Sequence, residues 1–121
     1  MESERQKIQR RRGELREQLQ ALLAQPLMRG SLVERRRRCG RANCVCARDR
    51  LALHGGKYFT VSLDGHSQAL HIRPEDEEAV RAAILAYQKM WEIINGLTLC
   101  ELAELRRQAR ERRRAQRRQG A

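Results

Sequence analysis

Ile8, Leu15, Leu19 and Leu22 recur at steps of seven, four and three, which sets them on one stripe of a helix. Leu23 widens the stripe, and Glu, Arg and Gln, good helix formers, fill the other faces. The pattern predicts an amphipathic helix over residues 3–24, stopped by Pro26. Gly13 weakens its middle by roughly 1 kcal/mol relative to Ala. From Gly30 the period changes. Leu32 and Val33, ahead of a run of charge, read as extended chain. Lys57–Leu63 is rich in β-branched and aromatic residues and predicts a strand. Asp64-Gly65 is a two-residue hairpin signal, and Gln68–Ile72 alternates as the return strand. These segments predict a small antiparallel sheet of two or three strands. Pro74 then opens a long helix, with Glu75–Glu78 at the positive end of its dipole. Val80, Ile84, Tyr87, Trp91 and Ile94 step by four and three and predict its packing seam. After Asn95-Gly96 the leucines at 97, 99, 102 and 105 change phase, which predicts a kink or a short break.

The fold class expected is therefore α+β. An N-terminal helix (1–25) leads into a cysteine-bearing segment with a small β-sheet (28–73). A long packing helix (74–105) follows, and then an arginine-rich tail (106–121) that carries helix formers but almost nothing to bury. A length of 121 residues suits one domain. One Phe, one Trp and two Tyr exclude a large aromatic core, so a metal, oligomerisation or both must help. The two helix stripes exceed what so small a core covers, which predicts a homo-oligomer, in the first place a dimer. No apolar run is long enough to span a membrane. The first residues show no apolar segment of the kind that directs secretion, so a reducing, cytoplasmic setting is expected, nucleoid-associated if the partner is DNA.

Charge changes the picture more than length does. The net charge is +11, and it is segregated. Residues 26–50 hold eight arginines against two carboxylates, and residues 106–121 hold eight against one. Residues 74–105, between them, hold seven carboxylates against two basic residues. Two separate basic runs point to a polyanion, DNA or RNA. The residues expected to meet it are Arg35, Arg36, Arg37, Arg38, Arg41 and Arg48 in the first run, and Arg106, Arg107, Arg110, Arg113, Arg114 and Arg117 in the second. With so few aromatics, backbone contacts must dominate over base stacking. The alternative is an adaptor whose leucine stripes make an interface and whose arginines meet an acidic protein.

Three of the four cysteines, Cys39, Cys44 and Cys46, fall within eight residues, and His54 follows. Four soft or borderline ligands at this spacing suit tetrahedral Zn²⁺. Gly40 permits the tight turn, and the surrounding arginines favour the thiolate. His66 and His71 are rivals for the fourth position. Cys100 sits beside Leu99 and Leu102 on the long helix and reads as a small hydrophobe. Catalysis has little to stand on. Glu75–Glu78 reads as dipole complementation, no phosphate loop carries Lys-Ser/Thr, and no His-x-Glu accompanies the cysteines. Four protein ligands would leave no open position on zinc. The expectation is a non-enzymatic protein.

"RGSL" at 29–32, "RRCGRANCVCA" at 38–47, "HGGKYF" at 54–59, a paired-strand turn and "AYQKMWEIINGL" on the long helix resemble, in this order, a small uncharacterised bacterial zinc-knuckle-like family. The resemblance covers about residues 28–105. It implies metal binding and a mobile-element neighbourhood, and so an accessory role to a recombinase, a transposase or a related enzyme. This chain departs from the family in having Gly56, Lys57, Tyr58 and Phe59 where members often carry a proline and a run of tyrosines.

Overall fold

The computed structural model describes residues 1–120. It gathers them into two compact units, Met1–Pro26 with Gln88 onward, and Leu27–Tyr87. Among the described residues no helix is long and apolar enough to cross a membrane.

In the first unit, helix α1 spans Glu4–Leu23. Ser3 caps it: its Oγ accepts from the Gln6 backbone N–H at 3.1 Å, and the Gln6 side chain accepts from the Ser3 N–H at 2.9 Å. Helix α2 spans Glu77–Gly120, and its part beyond Gln88 belongs to this unit. The two run antiparallel. Glu4 pairs with Arg110, Arg12 lies 2.8 Å from Glu101, and Leu15 lies against Gly96, so positions rising in α1 meet positions falling in α2. Ile8, Leu15, Ile93 and Cys100 are the buried core, with Leu19, Leu22, Leu97 and Ala103 packed on it. Ile8, Leu15, Leu19 and Leu22 thus form the stripe that the sequence predicts, whereas Leu23, expected to widen it, is exposed.

The α2 seam is not. The buried positions along the helix are Ala83, Ala86, Ile93 and Cys100, whereas Trp91 is 53% exposed and Ile94 39%. Each of Ala83, Ala86 and Ile93 stands one residue before a member of the expected seam. One residue is about 100° of helix, so the buried face is turned from the one the large side chains mark. Small residues let neighbouring backbone come close, and a reading weighted by side-chain size passes over them. Nor is there a break at Asn95-Gly96, through which the helix runs unbroken. A Cβ at position 96 would lie 3.0 Å from Leu15 Cδ1, so the glycine serves close approach. The tail continues the helix to Gly120, steadied at its start by Arg107, which bonds Glu104 and Glu111.

In the second unit three strands pair antiparallel in the order β1-β2-β3: β1 Ser31–Arg37, β2 His54–Leu63 and β3 His66–Ile72. Asp64 and Gly65 both have positive φ (52° and 78°), the two-residue turn whose twist matches that of the strands. The strands are longer than predicted. β1 takes in Arg35, Arg36 and Arg37, and β2 begins at His54. Phe59 and Ile72 are buried on one face. On that face Lys57 pairs with Glu77 in the first turn of α2, and the Met28 N–H donates to the Ala83 carbonyl at 3.1 Å, so the start of α2 covers it. Pro74–Asp76 forms a 3₁₀ turn leading into α2.

Candidate metal centre

The loop between β1 and β2 brings four side chains of metal-binding type to one point. Cys39 follows the end of β1. Gly40, at φ +88°, turns the chain in a conformation that side chains disfavour. Val45–Ala47 is one short 3₁₀ turn, with the Ala47 N–H on the Cys44 carbonyl at 3.0 Å, and Arg50–Ala52 is a second. Asp49 Oδ1 caps the second turn by accepting from the Leu51 N–H at 2.9 Å. His54 opens β2, opposite Arg37.

The Sγ atoms of Cys39, Cys44 and Cys46 and a ring nitrogen of His54 all lie within 4.8 Å of one another, close enough to hold a metal ion. Cys39 Sγ is 3.5 Å from Cys46 Sγ, and Cys44 Sγ is 3.3 Å from His54 Nε2. A tetrahedral zinc, with Zn–S of about 2.3 Å and Zn–N of about 2.0 Å, sets S···S edges of about 3.8 Å and S···N edges of about 3.5 Å. The donor set fits that ion in both chemistry and size. Cys46 is fully buried, and its sulfur accepts from the Cys39 N–H at 3.4 Å.

The thiols feel one another. Hydrogen bonding from the Cys46 backbone, then from the Cys46 and Cys39 side chains, draws the Cys44 thiol below its ordinary value. At Cys46 the Cys39 backbone N–H pulls the same way, but burial and the neighbouring thiols outweigh it and push the group up. Three thiolates this close repel, and a bound cation removes that repulsion.

The rivals lie elsewhere. His71 packs edge-on to Tyr58 with ring centroids 5.2 Å apart, His66 pairs with Leu63 at the hairpin, and Cys100 is in the core of the other unit. Two residues that shape the loop are not among the clustered four and escape a reading of ligand spacing. Asp49 is one; its only sequence signal is an Asp two residues ahead of the amide it caps. Arg36 is the other. Its Nη2 donates to the carbonyls of Leu51 and Leu53 at 3.1 and 3.4 Å, tying the loop that delivers His54 back to β1.

The arginines expected to meet a polyanion fall into two groups. Arg36, Arg107 and Arg110 are engaged within the molecule: Arg36 as above, Arg107 with Glu104 at 2.6 Å, and Arg110 with Glu4. Arg35, Arg37, Arg38, Arg41, Arg48, Arg106, Arg113, Arg114 and Arg117 are exposed.

No curated protein and no solved structure matches the chain. Residues 5–82, from α1 through the cysteine loop and the sheet into the start of α2, match the domain of unknown function DUF6788, and the chain belongs to that family.

Proposed function

We propose that the Cys₃His cluster holds Zn²⁺ as a structural ion and that the protein binds nucleic acid without catalysing a reaction. The observation that carries this reading is the placement of the basic run. Arg35–Arg38 leads directly into the first ligand, so a metal that rigidifies the loop also fixes arginines at the end of β1. Arg113, Arg114 and Arg117 on the exposed end of α2 offer a second set of phosphate contacts. The test is a binding series over rising salt against one duplex and one single strand. A log–log slope of about −0.7 to −0.9 per neutralised phosphate is expected, and a slope near zero on both would remove the reading. Service to a recombination or mobile-element enzyme rests on the family resemblance alone.

One observation favours a second reading. Trp91, Ile94, Leu102 and Leu105 lie on one face of α2 and are 39–59% exposed. A face of this kind supports self-association or an adaptor role, with an acidic protein meeting the arginines. Binding of a protein that survives nuclease treatment would mark this reading as the better one.

A further inference from the structure

Residues paired across an antiparallel sheet share a face, and neighbours along a strand alternate. The register therefore sorts the basic run of β1. Arg36 shares the covered face with Lys57, Phe59 and Ile72. Arg35 and Arg37 stand on the opposite, open face with Tyr58, Thr60, Ser67 and His71. No strand position on that open face holds a carboxylate; the one acid in the strands, Glu34, is on the other side.

The guanidinium carbons of Arg35 and Arg37 lie 5.9 and 5.4 Å from the Tyr58 ring centroid, and this stacking holds both heads over the sheet. Neither has a carboxylate partner among the described residues, in contrast to Arg107 and Arg110. Beside Arg35 a shallow concavity of about 490 Å³ is lined by Arg29 and by the hydroxyl-bearing residues Ser31, Thr60, Ser62 and Ser67. Arg29 is anchored there, donating to the Ser62 carbonyl at 2.6 Å. Positive charge in excess, hydroxyl donors and no competing acid select a phosphodiester.

We infer that this open face is the seat of a single strand of nucleic acid, held by its sugar–phosphate backbone. Arg35 and Arg37 lie on successive phosphates, and the concavity beside Arg29 takes a further one. Side chains two residues apart on a strand are about 6.7 Å apart, a separation of the order of that between neighbouring phosphates. Duplex readout sets a helix or a two-stranded ribbon into a groove, whereas Arg35, Arg37 and Tyr58 lie on the broad face of a three-stranded sheet. Tyr58 is only 9% exposed, covered by its own arginines, so bases point away and the surface tolerates any sequence. The inference rests on the nucleic-acid reading and adds the surface and the strandedness.

The experiment titrates a short fluorescent oligothymidylate into the full-length, metal-loaded protein and follows anisotropy as salt is raised. Arg35→Ala with Arg37→Ala should weaken binding at least tenfold and flatten the salt slope by about 0.7 per lost phosphate contact. Ser67→Glu keeps every arginine and places a carboxylate on the open face at an exposed position; it should weaken binding by about tenfold through repulsion. Circular dichroism and metal content should match the parent in both variants. An unlabelled duplex should compete poorly. A duplex that competes as well as the single strand would overturn the inference. So would full binding by both variants when a full-length chain with Arg113→Ala, Arg114→Ala and Arg117→Ala has lost it, and that result would leave the nucleic-acid reading standing. Failure of the parent protein to bind either probe would remove both.

Discussion

Cys46 is the innermost member of the Cys₃His cluster: it is fully buried, and its sulfur meets both the side chain and the backbone of Cys39. Freshly purified reduced protein should hold about one equivalent of zinc, since closing such a site is part of folding. Elemental analysis of Cys46→Ser should find it nearly metal-free. Cys100→Ser should keep its zinc and lose about 1–3 kcal/mol of stability, because a hydroxyl then stands among Ile8, Leu15 and Ile93; an empty site in that variant would refute the ligand set. Arg36→Ala should weaken zinc retention about 10- to 100-fold in a chelator competition, as loss of an outer-shell support does elsewhere. Unchanged retention would mean that the bonds to Leu51 and Leu53 position nothing. That Cys39, Cys44, Cys46 and His54 cluster is legible from spacing, because short separations of Cys and His leave a loop few other uses. Arg36 is not, because only strand pairing says which of four consecutive arginines turns toward the loop.

The sheet shows what alternation adds to a charged run. Read as letters, Arg35, Arg36, Arg37 and Arg38 are equivalent; β1 sends Arg36 to one face and Arg35 and Arg37 to the other, and Arg38 lies past its end. The hairpin was legible because Asp-Gly suits a turn that needs two positive φ values. The α2 seam is not legible in the same way, because Ala83 and Ala86 form a close packing face without the bulk that marks one in the sequence. Two glycines separate space from conformation. A Cβ at Gly30 would stand 2.4 Å from the Phe59 ring and 2.7 Å from the Thr60 carbonyl, so Gly30→Ala should cost about 1–3 kcal/mol in a denaturant titration. Gly13 has nothing within 4 Å, so Gly13→Ala should add about 1 kcal/mol through helix propensity alone. Glu77 ties α2 to β2, and Lys57, then Arg81, hold its carboxyl below the usual range. A lowered folded pKa means that this contribution is whole above the ordinary carboxylate value and fades as pH falls through the lowered one. Unfolding midpoints on acidification should therefore drop more steeply in the parent than in Glu77→Gln, and parallel curves would deny the tie a role.

At the scale of the molecule, a chain with a net charge of +11 keeps its copies apart through long-range repulsion, while α2 presents Trp91, Leu102 and Leu105 to solvent. Association should therefore strengthen as salt screens the charge, the reverse of nucleic-acid binding. Light scattering at raised salt should report a dimer, and Leu102→Asp should return it to a monomer with its helix content intact. A monomeric parent under those conditions would leave the exposed face without this use. The family match takes in α1 and ends soon after α2 begins, whereas the motif resemblance starts at residue 28 and continues to 105. Short motifs rest on conspicuous residues, and the plain Glu-Arg-Gln pattern of α1 offers none. The one tryptophan of the chain lies on the exposed apolar face of α2, half open to water. The protein thus carries its own optical label where copies would meet. Its emission should move to the blue as concentration rises, and a collisional quencher should lose access to it, with no dye attached.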